Sequence, residues 1–186
     1  MKDWTPSQTV GPFFDFGLCF DRGPLVVDPG SPHAITIEGH VTDGAGVLVP
    51  DALLEFWQAD ERGRYRCAAD PRNPGLEDGF DGFARVPTQT DGRFRLTTLK
   101  PGKVAGPGGS WQAPHLLVNV FARGMLTPQL TRLYFEDEIA NAEDPILALV
   151  PAKRRGTLIA RAAGPACYHW DLVLQGEGET VFFDVR

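Results

Sequence analysis

The strongest constraint on this chain is a series of short segments in which apolar and polar residues alternate and which glycine or proline soon cuts off. Ala34–Thr42 (AITIEGHVT), Ala52–Gln58 (ALLEFWQ), Gly92–Leu99 (GRFRLTTL), His115–Ala122 (HLLVNVFA), Tyr168–Gln175 (YHWDLVLQ) and Thr180–Val185 (TVFFDV) all carry the pattern. A period of two sends successive side chains to opposite faces of a strand, so one face can be buried while the other meets water. Turn chemistry fills the gaps, at Asp43–Gly44, at Asp91–Gly92 and in the GEGE run from Gly176. The 21 glycines and 16 prolines are this punctuation. Helix is expected in one place, from Glu136 to about Arg155, where Asp144 and Pro145 supply an N-cap and a first-turn proline to PILALV. The predicted fold is mainly β: a β-sandwich with a short helical insertion.

With 186 residues and no shift in composition, residues 1–186 read as a single domain. Residues 1–30, rich in proline, glycine and phenylalanine, read as an N-terminal arm lying on a partner. A formal charge of −6 and no basic run longer than Lys153–Arg155 argue against a nucleic-acid partner. No segment has the length and apolarity of a membrane span, and the N-terminus has no apolar leader. Cys19, Cys67 and Cys167 are odd in number and far apart, which points to a reducing, cytoplasmic setting.

Most generic catalytic patterns fail. None of the three serines, Ser7, Ser31 and Ser110, sits in a G-x-S-x-G elbow. The glycine-rich stretch from Pro101 lacks the Lys-Ser/Thr pair and following helix of a phosphate loop. His169 and Asp171 form an H-x-D pair, half of a two-histidine, one-carboxylate iron site, but no histidine follows them. They read as a polar outer face, and His33 and His40 as solvent-facing.

Taken together, TPSQTVGPFF, ITIEGHVTDGAGVLVPDALLEFWQAD, GRY, TDGRFRLTTLKPG, APHLLVNVFARGMLTPQLTRLYFEDE and GETVFFDV resemble the intradiol ring-cleavage dioxygenases over nearly the whole chain. The resemblance implies a mixed β-sandwich and a two-subunit enzyme of homologous alpha and beta chains, with this chain the alpha type. It further implies a non-haem ferric ion, Fe(III), bound by the beta subunit, and cleavage of 3,4-dihydroxybenzoate (protocatechuate) by dioxygen between its two hydroxyl-bearing carbons. Alpha–beta protomers in a larger assembly follow from the same likeness.

Ferric iron in this family is held by two tyrosines and two histidines. By the resemblance, Tyr65 of GRY stands at the first tyrosine and Val104, after KPG, at the second. His115 stands at the first histidine of an H-x-H pair and Leu117 at the second. Two of the four donors are therefore alkyl side chains, and these residues read as a vestigial metal pocket. No residue of this chain is assigned as catalytic or as a metal ligand. The resemblance places Thr9, Gly11, Pro12, Phe13 and Arg123 at the wall of the partner's substrate site. Phe13 stands where the family often has tyrosine, and Arg123 reads equally as a partner for a substrate carboxylate or as a surface ion pair. His115 and Arg123 share one strand face, but eight residues of about 3.3 Å each separate them by about 26 Å, so they should serve different sites. Two other readings remain open: a self-sufficient dioxygenase using Tyr65, His115, Tyr134 and a carboxylate, or a non-catalytic sandwich that binds small aromatics.

Overall fold

The computed structural model describes residues 8–11, 13–73 and 80–184. Three predicted strands form with the predicted bounds, β1 (Ala34–Thr42), β2 (Ala52–Gln58) and β7 (His115–Ala122), and a fourth one residue shorter as β4 (Arg93–Leu99). They are joined by β3 (Phe83–Pro87), β8 (Gln129–Phe135), β9 (Ile159–Gly164), β10 (Cys167–His169) and β11 (Leu172–Val173) in a nine-stranded sheet. Across the sheet the order runs β4, β1, β10 with β11, β9, β8, β7, β2, β3. A two-stranded ribbon of β5 (Val104–Ala105) and β6 (Trp111–Gln112) stands beside it. The sheet is mixed: β1 runs parallel to β10 and β11, and β8 to β9, while the other pairs are antiparallel.

The sheet curls until its edge strands, β3 and β4, face each other across the Asp91–Gly92 turn, which the Gln89 N–H closes on Arg93 O at 2.8 Å. The arm fills the gap. Arg85 N–H donates to Gly23 O, Thr97 N–H to Pro24 O and Val26 N–H to Thr97 O, all within 3.0 Å. Residues 23–26 therefore cover two strand edges that would otherwise be open.

Inside lie Ile35, Ile37, Leu54, Phe56, Phe94, Leu96, Val118, Val120, Leu133 and Phe135, the inward half of each alternation. A second, smaller core forms on the outer face of β8, where Tyr134 is covered by Leu147, Val150 and Leu158. This double coverage explains why the alternation of β8 is weak in the sequence: both its faces are buried.

The expected helix is absent. Residues 139–158 form three 3₁₀ segments, Ile139–Glu143, Leu147–Leu149 and Ala152–Leu158. Pro145 and Pro151 each remove a backbone donor that a continuous α-helix needs. Asp144 does cap as expected, accepting the N–H groups of Ile146 and Leu147 at 2.9 and 2.7 Å.

The expected strand Tyr168–Gln175 breaks in two because Asp171 Oδ1 accepts the His40 N–H at 2.9 Å, so a side chain interrupts the backbone ladder there. In place of the last expected strand, the described residues show a single bridge, Phe183 to Leu130. Cys19, Cys67 and Cys167 form no disulfide with one another. No helix among the described residues is long and apolar enough to cross a membrane.

Candidate functional site

The GRY and KPG turns have to approach each other before any pocket can form, and glycine makes this possible. A Cβ on Gly63, whose φ is +71°, would lie 1.8 Å from Lys103 O, and one on Gly102 would lie 2.4 Å from Glu61 O. Only residues without a side chain allow such contact. The result is that Tyr65 and Val104 line one cavity of about 300 Å³, together with Cys67, Asp70 and Ala105.

On the sheet below, strand register sets the rest. Trp57, Leu117 and Arg132 lie side by side across β2, β7 and β8, and His115 opposes Tyr134 one step along. Tyr65 stacks on Trp57 with ring planes 11° apart. The structure thus gathers Tyr65, Val104, His115 and Leu117 on one patch of the outer sheet face.

That patch contains a cation which the sequence reading overlooked. Arg132 Nη1 donates to Gln112 Oε1 at 2.7 Å and to the Tyr134 hydroxyl at 3.3 Å. Its charge acts on Tyr65, His115 and Tyr134 alike. Burial pushes both phenols above their ordinary range against the pull of Arg132, so Tyr65 and Tyr134 are protonated. His115 is buried and uses Nδ1 on Ala113 O at 2.7 Å. The residues of the open alternative, Tyr65, His115, Tyr134 and a carboxylate, do come together here. However, the carboxylate is Asp144, fully buried and already accepting three backbone N–H groups and the Tyr134 hydroxyl. Two protonated phenols, of which Tyr134 is bonded to Asp144, one imidazole, two alkyl side chains and a guanidinium do not fit a ferric ion, which favours several anionic donors. Among the described residues no cluster of three or more His, Cys, Asp or Glu side chains could hold a metal.

Burial, and after it the Arg132 charge, lowers the His115 imidazole from 6.5 to about 4. The unfolded chain therefore binds a proton between those pH values that the folded chain refuses, so stability falls as pH falls through this window. At about 1.4 kcal/mol per pH unit the loss is on the order of 3 kcal/mol by pH 4. Urea midpoints measured from pH 7 to pH 4 should fall steeply, and His115→Gln should flatten most of that slope. An unchanged slope would mean that carboxylates elsewhere carry the acid sensitivity.

The other predicted residues meet at the opposite end of β7. Thr9 Oγ1 accepts the Gly124 N–H at 2.9 Å and donates to Ala122 O at 3.3 Å, so the arm is bonded to both neighbours of Arg123. Gly11, with φ +72°, turns the chain just beyond, and Phe13 is 74% exposed. Pro12 lies outside the described residues. Arg123 pairs through Nε with Asp51 Oδ2 at 2.8 Å. Because β7 pairs without a register shift from His115 to Ala122, the two groups do sit at opposite ends of one strand. Asp171 draws His169 Nε2 to 3.0 Å and His40 Nδ1 to 3.6 Å, which keeps that cluster a polar surface network. His33 pairs with Glu61.

Comparison with known proteins follows this geometry. Residues 11–176 match the family described as Dioxygenase. The chain is 46% identical to the protocatechuate 3,4-dioxygenase alpha chain of Burkholderia cepacia over 97% of each chain. It is 33% identical to the protocatechuate 3,4-dioxygenase beta chain of the same organism, over 86% of this chain and 76% of that one. Among solved structures it is similar to the dioxygenase domain of a dioxygenase carbohydrate-binding fusion from Streptomyces sp. SirexAA-E. That match has a TM-score of 0.60 and 29% identity, and covers 94% of this chain and 99% of that one.

Proposed function

The chain belongs to the intradiol dioxygenase family, and from that membership we propose that it is the site-completing alpha subunit of a protocatechuate 3,4-dioxygenase. The iron sits in a homologous beta subunit, where dioxygen opens the ring of 3,4-dihydroxybenzoate to 3-carboxy-cis,cis-muconate. This chain contributes one wall of that site and no metal ligand. A ferric ion held by the partner would supply the Lewis acidity for ring cleavage. The residues of this chain bind, orient and exclude water.

The observation that carries the reading is the bonding of Thr9 to both neighbours of Arg123. It joins the arm and the arginine into one surface, at the opposite end of β7 from the patch that carries Arg132. On that surface Gly11 allows a ligand to approach the backbone, Phe13 offers an exposed ring face to an aromatic substrate, and Arg123 offers its donors to the carboxylate. The greater identity to an alpha chain than to a beta chain, 46% against 33%, supports the subunit assignment.

Purified alone, the chain should be colourless and free of iron. Co-expressed with its beta partner it should yield a complex with the visible absorption of tyrosinate-to-ferric charge transfer and protocatechuate-cleaving activity. Stoichiometric iron and colour in the chain alone would overturn the assignment.

A further inference from the structure

The pair formed by Arg123 and Asp51 has a shape that an ordinary surface ion pair does not need. Ala52 opposes Ala122 at the ends of β2 and β7, so the residues just outside, Asp51 and Arg123, are neighbours by register. Asp51 is mostly buried, its side chain only 13% exposed, whereas the Arg123 side chain is 63% exposed. Asp51 Oδ2 is sealed from solvent and makes no aligned hydrogen bond; the 2.8 Å approach to Arg123 Nε is a charge contact only. The carboxylate charge thus lies against the Nε side of the guanidinium and draws that side toward the sheet. Among the described residues the Nη donors on the other edge make no hydrogen bond. Thr9, bonded to Ala122 O and Gly124 N–H, fixes the backbone on both sides of the arginine.

We propose that Asp51 is a positioning residue that holds the Nε edge of Arg123 so that its Nη edge faces the substrate carboxylate at the partner's site. The inference rests on the reading of Arg123 given above and adds a residue that the sequence did not single out. A guanidinium binds a carboxylate best through two parallel donors, and a fork already turned to the right angle loses less freedom on binding. A buried carboxylate on the far edge supplies that orientation. Asp51 also lowers the net charge near the substrate, an effect of opposite sign, so the experiment can separate the two roles.

The test uses the co-expressed two-subunit complex with Asp51→Asn, Asp51→Glu and Arg123→Ala, measuring KM and kcat for protocatechuate and inhibition constants for 4-hydroxybenzoate and phenol. Positioning predicts that Asp51→Asn raises KM up to about fivefold, the scale of one partly exposed ion pair, and weakens 4-hydroxybenzoate to a similar extent. The kcat and the binding of phenol, which has no carboxylate, should stay unchanged, and Asp51→Glu should restore part of the loss. A lower KM in Asp51→Asn would mean that Asp51 only offsets charge, and equal weakening of both inhibitors would mean a merely structural role. Either result overturns the inference while leaving the Arg123 reading intact if Arg123→Ala still raises KM. An unaltered KM in Arg123→Ala would remove the reading itself and the inference with it.

Discussion

Replacing Asp144 with alanine is expected to destabilise the chain by about 3–5 kcal/mol, an exceptional loss for a residue outside the main core. Its carboxylate has no exposed surface and takes four donors, the N–H groups of Ala113, Ile146 and Leu147 and the Tyr134 hydroxyl, at 2.7 to 3.2 Å. Alanine would leave all four without an acceptor in a dry site, each costing about 1–3 kcal/mol before relaxation. The total is smaller than the sum because the 3₁₀ segment can open to water. Asp144→Asn should lose less, since one carbonyl oxygen survives while an amide faces the Ala113 N–H. Urea unfolding with an unchanged slope and a lowered midpoint would register both effects, and a loss below about 1 kcal/mol for the alanine variant would refute the account. Because the Asp144 charge and the bond to Ala113 O both raise the His115 pKa against burial, the same variant should lower that pKa further.

A second large effect is expected from the sheet patch that carries Arg132, beside Leu117 and Tyr134. Restoring the two absent donors with Val104→Tyr and Leu117→His should leave the chain free of iron. Adding Arg132→Gln should allow about one ferric ion per chain, with a visible charge-transfer band. The reason is electrostatic: a guanidinium about 5 Å from a trivalent ion, at an effective dielectric constant near 20, is disfavoured by on the order of 10 kcal/mol. No single added ligand offsets that. Leu117 and Arg132 are direct cross-strand partners, so the cation is anchored beside the restored histidine and would not readily leave the patch. Circular dichroism should first establish that each variant folds. Iron in the double variant would show that the guanidinium moves aside, and a folded triple variant without iron would show that ligand geometry excludes the metal.

The legibility of this chain followed the physics of each element. β1, β2, β4 and β7 were readable because each buries mainly one face, so their alternation survives in the sequence. β8 was not, because the 3₁₀ segments bury its outer face as well. The expected helix between Glu136 and Arg155 rested on a sound capping signal at Asp144, but Pro145 and Pro151 outweighed it. At the site, likeness of motif pointed to Tyr65, Val104, His115 and Leu117. It passed over Arg132 and Asp51, whose importance lies in register and has no local signature. A charged residue in the middle of the QLTRLYF segment was the only hint of Arg132.

The sequence alone determined the β class, the turns, the glycines that let the GRY and KPG loops touch, and the alkyl side chains at positions 104 and 117. These are local properties, written in side-chain period, in backbone permissiveness and in which donor atoms a residue carries. The tertiary structure decided the rest: that Arg132 faces Tyr65, His115 and Tyr134, that Asp144 ties the 3₁₀ segments to the wall of the pocket, and that Asp51 holds Arg123 beside the arm. Each of these joins residues from separate strands or loops, and pairing across strands is set by the global register that brings them within a few ångströms.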